Sequence, residues 1–358
     1  MKRAWISSQL VAVAILSIVI TRVFFCKRCE FSFDDAPSSS HPLGIITVNN
    51  GLEQRNVVHD GSSTSSNGRD GFSAPASMVV EEGGQRWDHD PRIPFPTVPS
   101  PPYDTKIPRI LHRSWKTENV PQVMRKWTKT CSDLHPDWTH ILWTDEMNRE
   151  LVRVFYPWFL PVYDSYEKNV MRADAARIFY MHKFGGVYMD LDFECIRPMD
   201  SLLNVSTSLL GYLSDDYEYE HNIPNAWMAS KPRHKFWEFT ARLMQFNPYD
   251  PALNQSIAEY MTGPVMLYNA YYKWNSKHEN SPNSDYRVTI LSNDLIYPFD
   301  WHSRSPWYNY CWARSSSYSP EKCKKEMNVV GKSSYVVTYW SHSWESIGRS
   351  PKASIVRG

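Results

Sequence analysis

At 358 residues, 42% of them hydrophobic, the chain can bury one large core or two of ordinary size. Its 39 lysines and arginines stand against 38 aspartates and glutamates, without the basic excess that a nucleic-acid-binding face needs. Fifteen tryptophans and 21 tyrosines supply flat faces that suit sugar rings and bases, and that serve equally as core filling.

The first predicted element is "AWISSQLVAVAILSIVITRVFF" (4–25), mostly apolar and as long as a membrane-spanning helix. A cleaved signal peptide needs a shorter apolar core ending in small residues, whereas this run ends in "VFFCKRC", so an uncleaved signal anchor is expected. Lys2 and Arg3 precede it, Arg22 lies near its end and Lys27 and Arg28 follow, so flanking charge does not set its orientation. Cys26 and Cys29 sit at the membrane edge as palmitoylation sites or plain thiols. Next come "DDAPSSSHP", "DGSSTSSNGRDG" and "PRIPFPTVPSPPYD", which lack the apolar periodicity to offset their ordering entropy and read as a tether. The expected organisation is a cytoplasmic tail (1–4), a transmembrane anchor (5–25), a disordered stem (26–104), a globular domain (105–347) and a C-terminal tail (348–358).

Within the globular part, "RILHRSW" (109–115) predicts a first strand and "VPQVMRKWTKTC" a helix, with Pro121 in its first turn. "THILWTD" (139–145) predicts a second strand. Thr144 or Asp145 can cap the following helix, where Met147, Leu151 and Phe155 recur four apart. "VMRADAARIFYMHKF" (170–184) predicts a strong helix stopped by Gly185, and "GVYMDLD" a third strand. This alternation is the pattern of an α/β fold, a parallel sheet covered by helices, whose ligands lie beyond the carboxyl ends of the strands. "NAWMAS", "RVTIL" and "YVVTYW" predict later strands; "HKFWEFTARLMQF" and the run from Pro264 through "VMLYNAYYKW" predict helices. Cys131, Cys195, Cys311 and Cys323 lack the paired spacing of a zinc site. Cys131 with Cys195, and Cys311 with Cys323, could form disulfides. "NVS" at Asn204 and "NQS" at Asn254 are glycosylation acceptors in an oxidising lumen.

The chemistry concentrates in "GGVYMDLD" (185–192). On a strand, positions two apart point the same way, so Asp190 and Asp192 are expected side by side at the carboxyl end of the third strand. Two carboxylates that close repel unless water or a cation stands between them. A hard divalent cation, Mn²⁺ or Mg²⁺, prefers oxygen ligands and would keep positions open for a diphosphate. Just upstream, Asp174 and Arg177 share a helix face, and Arg172 adds a third charge to a first turn aimed at the acidic strand. The plain alternative for that trio is a surface ion pair worth little.

"IPRILHRSWKT", "HPDWTHILWTDE", "YPWFLPVYDSY", "RADAARIFYMHKFGGVYMDLDFECIRPMD", "ASKPRHKFW" and "TGP", in this order, resemble glycosyltransferase family 32, the DXD-containing sugar transferases. Among these, the inositol phosphorylceramide mannosyltransferases look closer than the outer-chain-initiating α-1,6-mannosyltransferase. The resemblance covers roughly residues 106–275 and thins afterwards. It implies a GT-A fold, a Rossmann-like nucleotide-sugar-binding domain behind the transmembrane anchor. Asp192 would ligate the metal directly, and Asp190 would reach donor hydroxyls, or the metal through water. Asp174 and Arg177, matching a D-x-x-R element, would hold donor hydroxyls and phosphate, with Arg172 supporting the pocket. Trp115 would stack on the base, and His112 would be a packed residue behind it. "SHSW" resembles a C-terminal His-x-Trp element, making His342 a metal or phosphate contact or else a core histidine, and Trp344 a wall. The family retains anomeric configuration, which suits a front-face route in which the departing phosphate takes the acceptor's proton.

These features imply a metal-dependent retaining transferase of a hexose, mannose from GDP-mannose favoured, onto a glycan or glycolipid acceptor. They place it in the Golgi membrane, single-pass type II, with the catalytic domain lumenal. Its partners would be the donor, the acceptor, the membrane through the N-terminal helix, and an accessory subunit or a second copy of the chain, but no nucleic acid. Nothing in the residues separates GDP-mannose from a UDP-galactose or UDP-N-acetylglucosamine donor. Two other readings compete. A glycosidase needs carboxylates roughly 5–9 Å apart across a cleft, which adjacent same-face positions do not suggest. A non-catalytic, membrane-anchored sugar-nucleotide-binding protein conflicts with an intact Asp174, Arg177, Asp190 and Asp192 set.

Overall fold

The computed structural model describes residues 106–247, 257–302 and 306–341, preceded by residues 90, 92, 93, 95, 96 and 98. The chain divides into units Met1–Phe72 and Ser73–Gly358, and every described residue lies in the second. The expected anchor, the stem up to residue 89, the C-terminal tail and the sequon at Asn254 lie outside the described residues. Among the described residues no helix is long and apolar enough to cross a membrane.

The first half alternates strand and helix: β1 (Ile110–Ser114), α1 (Gln122–Leu134), β2 (Thr139–Trp143), α2 (Asp145–Phe155), α3 (Leu160–Ser165), α4 (Asn169–Lys183), β3 (Gly186–Met189) and β4 (Phe193–Cys195). The second half holds β5 (Ser208–Gly211), β6 (Trp227–Ser230), α5 (Lys235–Phe246), α6 (Ile257–Met261) and α7 (Pro264–His278). It continues through β7 (Thr289–Leu291), α8 (Asn293–Ile296), α9 (Tyr308–Cys311), α10 (Pro320–Glu326) and β8 (Val336–Thr338). Local signals account for several boundaries. Thr144 caps α2 by accepting from the Met147 N–H, and Asp145 and Glu146 in the first turn favour the positive end of the helix dipole. Helix α4 ends where the N–H groups of Phe184 and Gly185 both donate to the Tyr180 carbonyl, with Gly185 at φ +65°.

Six strands form one sheet in the order β2-β1-β3-β6-β5-β7, and β4 pairs with β8 in a separate two-stranded antiparallel sheet. The wholly parallel sheet expected from the sequence is corrected to a mixed one. Strands β2, β1 and β3 run parallel, but β6 runs antiparallel to both β3 and β5. β3 reaches β6 through an excursion that includes β4 and β5, not through a single crossover helix, so no handed βαβ unit constrains its direction.

The period-2 alternation of the strands divides the core into two layers. Leu111, Val187, Met189, Leu209 and Trp227 face α1, β4 and β8; Ile110, Ile141, Trp143, Tyr188, Leu210 and Met228 face α2, α4, α5 and α7. Ile93, Phe95 and Val98, from the proline-rich stretch expected as tether, pack against the second layer, and the Phe95 ring meets Trp143 edge-on at 5.5 Å. Both anticipated disulfides are present. Cys131–Cys195 ties α1 to β4, and Cys311–Cys323 ties α9 to α10.

Candidate active site

Strand β3 stops at Met189, so Asp190 and Asp192 do not lie on a strand as expected; they occupy the turn that leads into β4. The acidic pair still follows the carboxyl end of β3, but the main chain, not a pleat, orients it. The Asp190 N–H donates to the Ala226 carbonyl (2.9 Å). Tyr188, two residues earlier, donates its hydroxyl to Asp190 Oδ1 (2.6 Å), and Arg177 Nη1 lies 3.3 Å from the same oxygen. Asp192 is held from the far side of the chain. Its Oδ2 accepts from the Ser341 N–H (2.7 Å) and its Oδ1 from the Thr338 hydroxyl (3.3 Å).

Arg177 joins two carboxylates. Its Nη2 lies 3.2 Å from Asp174 Oδ1, its Nη1 donates to the Asn225 carbonyl (3.0 Å), and its guanidinium sits 4.5 Å over the Tyr188 ring. Asp174 is completed by Asn225 Nδ2 (3.0 Å, to Oδ1) and the Thr262 hydroxyl (3.3 Å, to Oδ2). The Asp174 and Arg177 side chains are each 8% exposed, whereas that of Asp190 is 34% exposed. The inner pair is therefore a fixed support, and Asp190 is the oxygen source that opens to a ligand. Burial pushes the Asp190 carboxyl above the usual range and Asp192 adds to that push, against the pull of Arg177 and the Tyr188 hydrogen bond. Asp174 is likewise raised by burial, with Arg177 opposing.

Arg172 does not join this cluster. It bonds Asn169 Oδ1 (2.7 Å) and reaches the Asp164 carbonyl (3.4 Å), which corrects the expectation that it points at the acidic turn. At about 100° per residue, Arg172 lies about 200° around the helix from Asp174 and about 140° from Arg177, so the three cannot share a face. Trp115 follows β1 at the same sheet edge, half-buried, with its indole N–H donating to the Asn119 carbonyl (3.2 Å). His112 is a packed interior group: its Nδ1 accepts from the Trp143 indole (3.0 Å), so Nε2 carries the hydrogen and donates to the Gly185 carbonyl (2.8 Å). Burial lowers its pKa to about 4. His342 and Trp344 lie outside the described residues.

The oxygen set suits a hard divalent cation. Asp190 has Oδ1 fastened while its side chain is 34% exposed, and Asp192 is anchored by an N–H and a hydroxyl, an arrangement that orients both carboxylates. Among the described residues no cluster of three or more His, Cys, Asp or Glu gathers. A cation held by this couplet would complete its shell with water and ligand phosphate, as Mg²⁺-type sites do. Sequence reasoning missed Asn225, Tyr188 and Thr262. Thr262 lies in the "TGP" motif and Tyr188 two residues before Asp190, whereas Asn225 carries no local signal.

Residues 121–209 match the family model described as the glycosyltransferase sugar-binding region containing the DXD motif. That bears out the resemblance to the family 32 sugar transferases. Among curated proteins, the chain is 34% identical over 215 residues to inositol phosphoceramide mannosyltransferase 2 of Schizosaccharomyces pombe, covering 57% of this chain and 59% of that one. It is 38% identical over 188 residues to mannosyl phosphorylinositol ceramide synthase SUR1 of Saccharomyces cerevisiae, covering 49% of this chain and 45% of that one. The matched region thus spans only about half the length of these relatives. The solved PaToxG glycosyltransferase superposes with a TM-score of 0.39 and 16% identity, over 49% of this chain and 74% of that one, a likeness too slight to argue from.

Proposed function

We propose that this chain is a divalent-cation-dependent, retaining hexosyltransferase of GT-A type, moving mannose from GDP-mannose to an inositol-phosphate-bearing ceramide or a related glycan. The observation that carries this reading is the Asp174–Arg177–Asp190 clamp, which fixes one acid of the Asp190/Asp192 couplet while leaving it open to solvent. The names of the relatives support the sugar and the acceptor class. A cation held by Asp192, with Asp190 beside it, would offset the charge that develops on a leaving diphosphate. The protein's own part is positional. Trp115 offers a face for the base, Asp190 accepts from donor hydroxyls, and Asp174 and Arg177 keep Asp190 aimed.

In the front-face route, the bond from the anomeric carbon to the diphosphate oxygen breaks as a bond to the acceptor oxygen forms on the same face. The acceptor's proton passes to the departing diphosphate oxygen, so no enzyme nucleophile is required. His342 as a further ligand, a lumenal catalytic domain and a single-pass Golgi anchor complete the reading. A donor screen of the purified full chain with Mn²⁺, covering GDP-mannose, UDP-galactose and UDP-N-acetylglucosamine, tests it by nucleoside diphosphate release. Release from GDP-mannose, abolished by chelation and lowered at least about 100-fold in Asp192→Asn, is expected. Equal turnover after exhaustive chelation would defeat the proposal, and turnover of a UDP-sugar alone would replace its donor.

A further inference from the structure

Arg113 plays no part in the clamp described above, yet it is only 6% exposed. Among the described residues, neither of its terminal guanidinium nitrogens has a hydrogen-bond partner. An unpaired buried guanidinium is costly, and the group does not neutralise itself at physiological pH. Even with burial lowering its pKa to about 10, and with Tyr188, Asp190 and Asp192 working against that shift, it stays charged.

Its position explains what the charge faces. Arg113 is the fourth residue of β1, on the sheet face it shares with Leu111, which packs toward α1 and β4. One register step beyond the His112–Tyr188 pair brings it level with Met189, immediately before Asp190. Two residues later β1 has ended and Trp115 begins the loop. Arg177 approaches the acidic turn from α4 on the opposite face of the sheet. The carboxyl edge of β1 and β3 thus carries one arginine paired with two carboxylates and, across the sheet, one whose two terminal nitrogens have no partner among the described residues.

We infer that Arg113 is a diphosphate-holding residue, its planar fork taking up oxygens of the nucleotide's pyrophosphate between the Trp115 face and the Asp190–Asp192 turn. This rests on the nucleotide-sugar reading above. The fork suits phosphate geometry, and a bound anion supplies the partner that the protein itself withholds. The free protein therefore carries terminal guanidinium donors whose hydrogen bonds a bound ligand would supply, a loss of stability placed where binding recovers it.

The test compares the full chain in detergent with Arg113→Met and Arg113→Lys. Binding of GDP, UDP and the phosphate-free nucleosides, each with Mn²⁺, is measured by calorimetry, and melting of the ligand-free proteins alongside. Arg113→Met is expected to bind the diphosphate roughly 10- to 100-fold more weakly. Nucleoside binding should hold, the ligand-free melting temperature should stay or rise, and Arg113→Lys should recover part of the diphosphate affinity. Unchanged diphosphate affinity in Arg113→Met overturns the inference while the transferase reading stands. So does a lowered melting temperature in Arg113→Met without rescue of binding by lysine, because the arginine is then a structural element. If the unaltered protein binds no nucleoside diphosphate with Mn²⁺, both readings fall.

Discussion

Arg177 is the residue on which the acidic turn leans. It is the cation between two carboxylates, one of which, Asp174, is as buried as itself. Removing it strands Asp174 in the interior, so Arg177→Met should cost about 3–5 kcal/mol of stability. Adding Asp174→Asn removes the stranded charge, and the double variant should be more stable than the sum of the two single losses. Urea denaturation of the three variants measures this coupling. His112 makes a second prediction at this scale. Its pKa is lowered to about 4 by burial, and that of His234, also fully buried, to about 4 by burial and the Lys231 charge. Unfolded, both would titrate near 6.5, so between pH 6.5 and 4 the unfolded state binds protons that the native state refuses. Stability should therefore fall as pH drops through that window, by up to about 1.4 kcal/mol per pH unit for each histidine. Calorimetry at pH 7 and 5 would read it, and an unchanged melting temperature would contradict the assignment.

At the scale of elements, the joint between α4 and β3 sets the aim of the site. Gly185 and Gly186 stand at φ +65° and +90°, and a Cβ on Gly186 would lie 2.6 Å from the Ile110 carbonyl oxygen, a backbone atom of the neighbouring strand. Gly186→Ala should cost at least about 2 kcal/mol and loosen β3 against β1, visible as a lower melting temperature together with weaker donor binding. This joint was readable in advance, because a helix-period run, two glycines and an apolar run follow one another in "RIFYMHKFGGVYM". The placement of β1, β2, α2 and α4 was legible for the same reason. The direction of β6 was not, since strand polarity depends on connections that span nearly forty residues from β3. The end of β3 was also hidden: "VYMDLDFEC" alternates without a break, and only the pairing of β4 with β8 shows where the chain turns. The Asp174–Arg177 pair was visible from helical spacing, but Asn225 enters from a loop 48 residues beyond Arg177. Arg113 looked like an ordinary strand residue because only burial without a partner marks it.

On the scale of the molecule, two covalent links hold the layer that backs the acidic turn. Cys131–Cys195 closes a separation of 64 residues and Cys311–Cys323 one of 12. Loop-closure entropy makes these worth about 4 and about 3 kcal/mol. Reduction should accordingly lower the melting temperature steeply, more in Cys311→Ser, which retains only the longer link, than in Cys131→Ser, which has already lost it. Cys195 stands three residues after Asp192, and β4 between them carries Glu194, whose carboxylate accepts from Lys324 Nζ (2.6 Å) and the Tyr339 hydroxyl (2.9 Å). Thiol chemistry thus reaches the acidic couplet through one short strand. A polypeptide synthesised in a reducing bacterial cytosol would emerge with its sugar-handling acids on an unstapled support, so an inert recombinant batch would speak of the host that made it before it spoke against the catalyst.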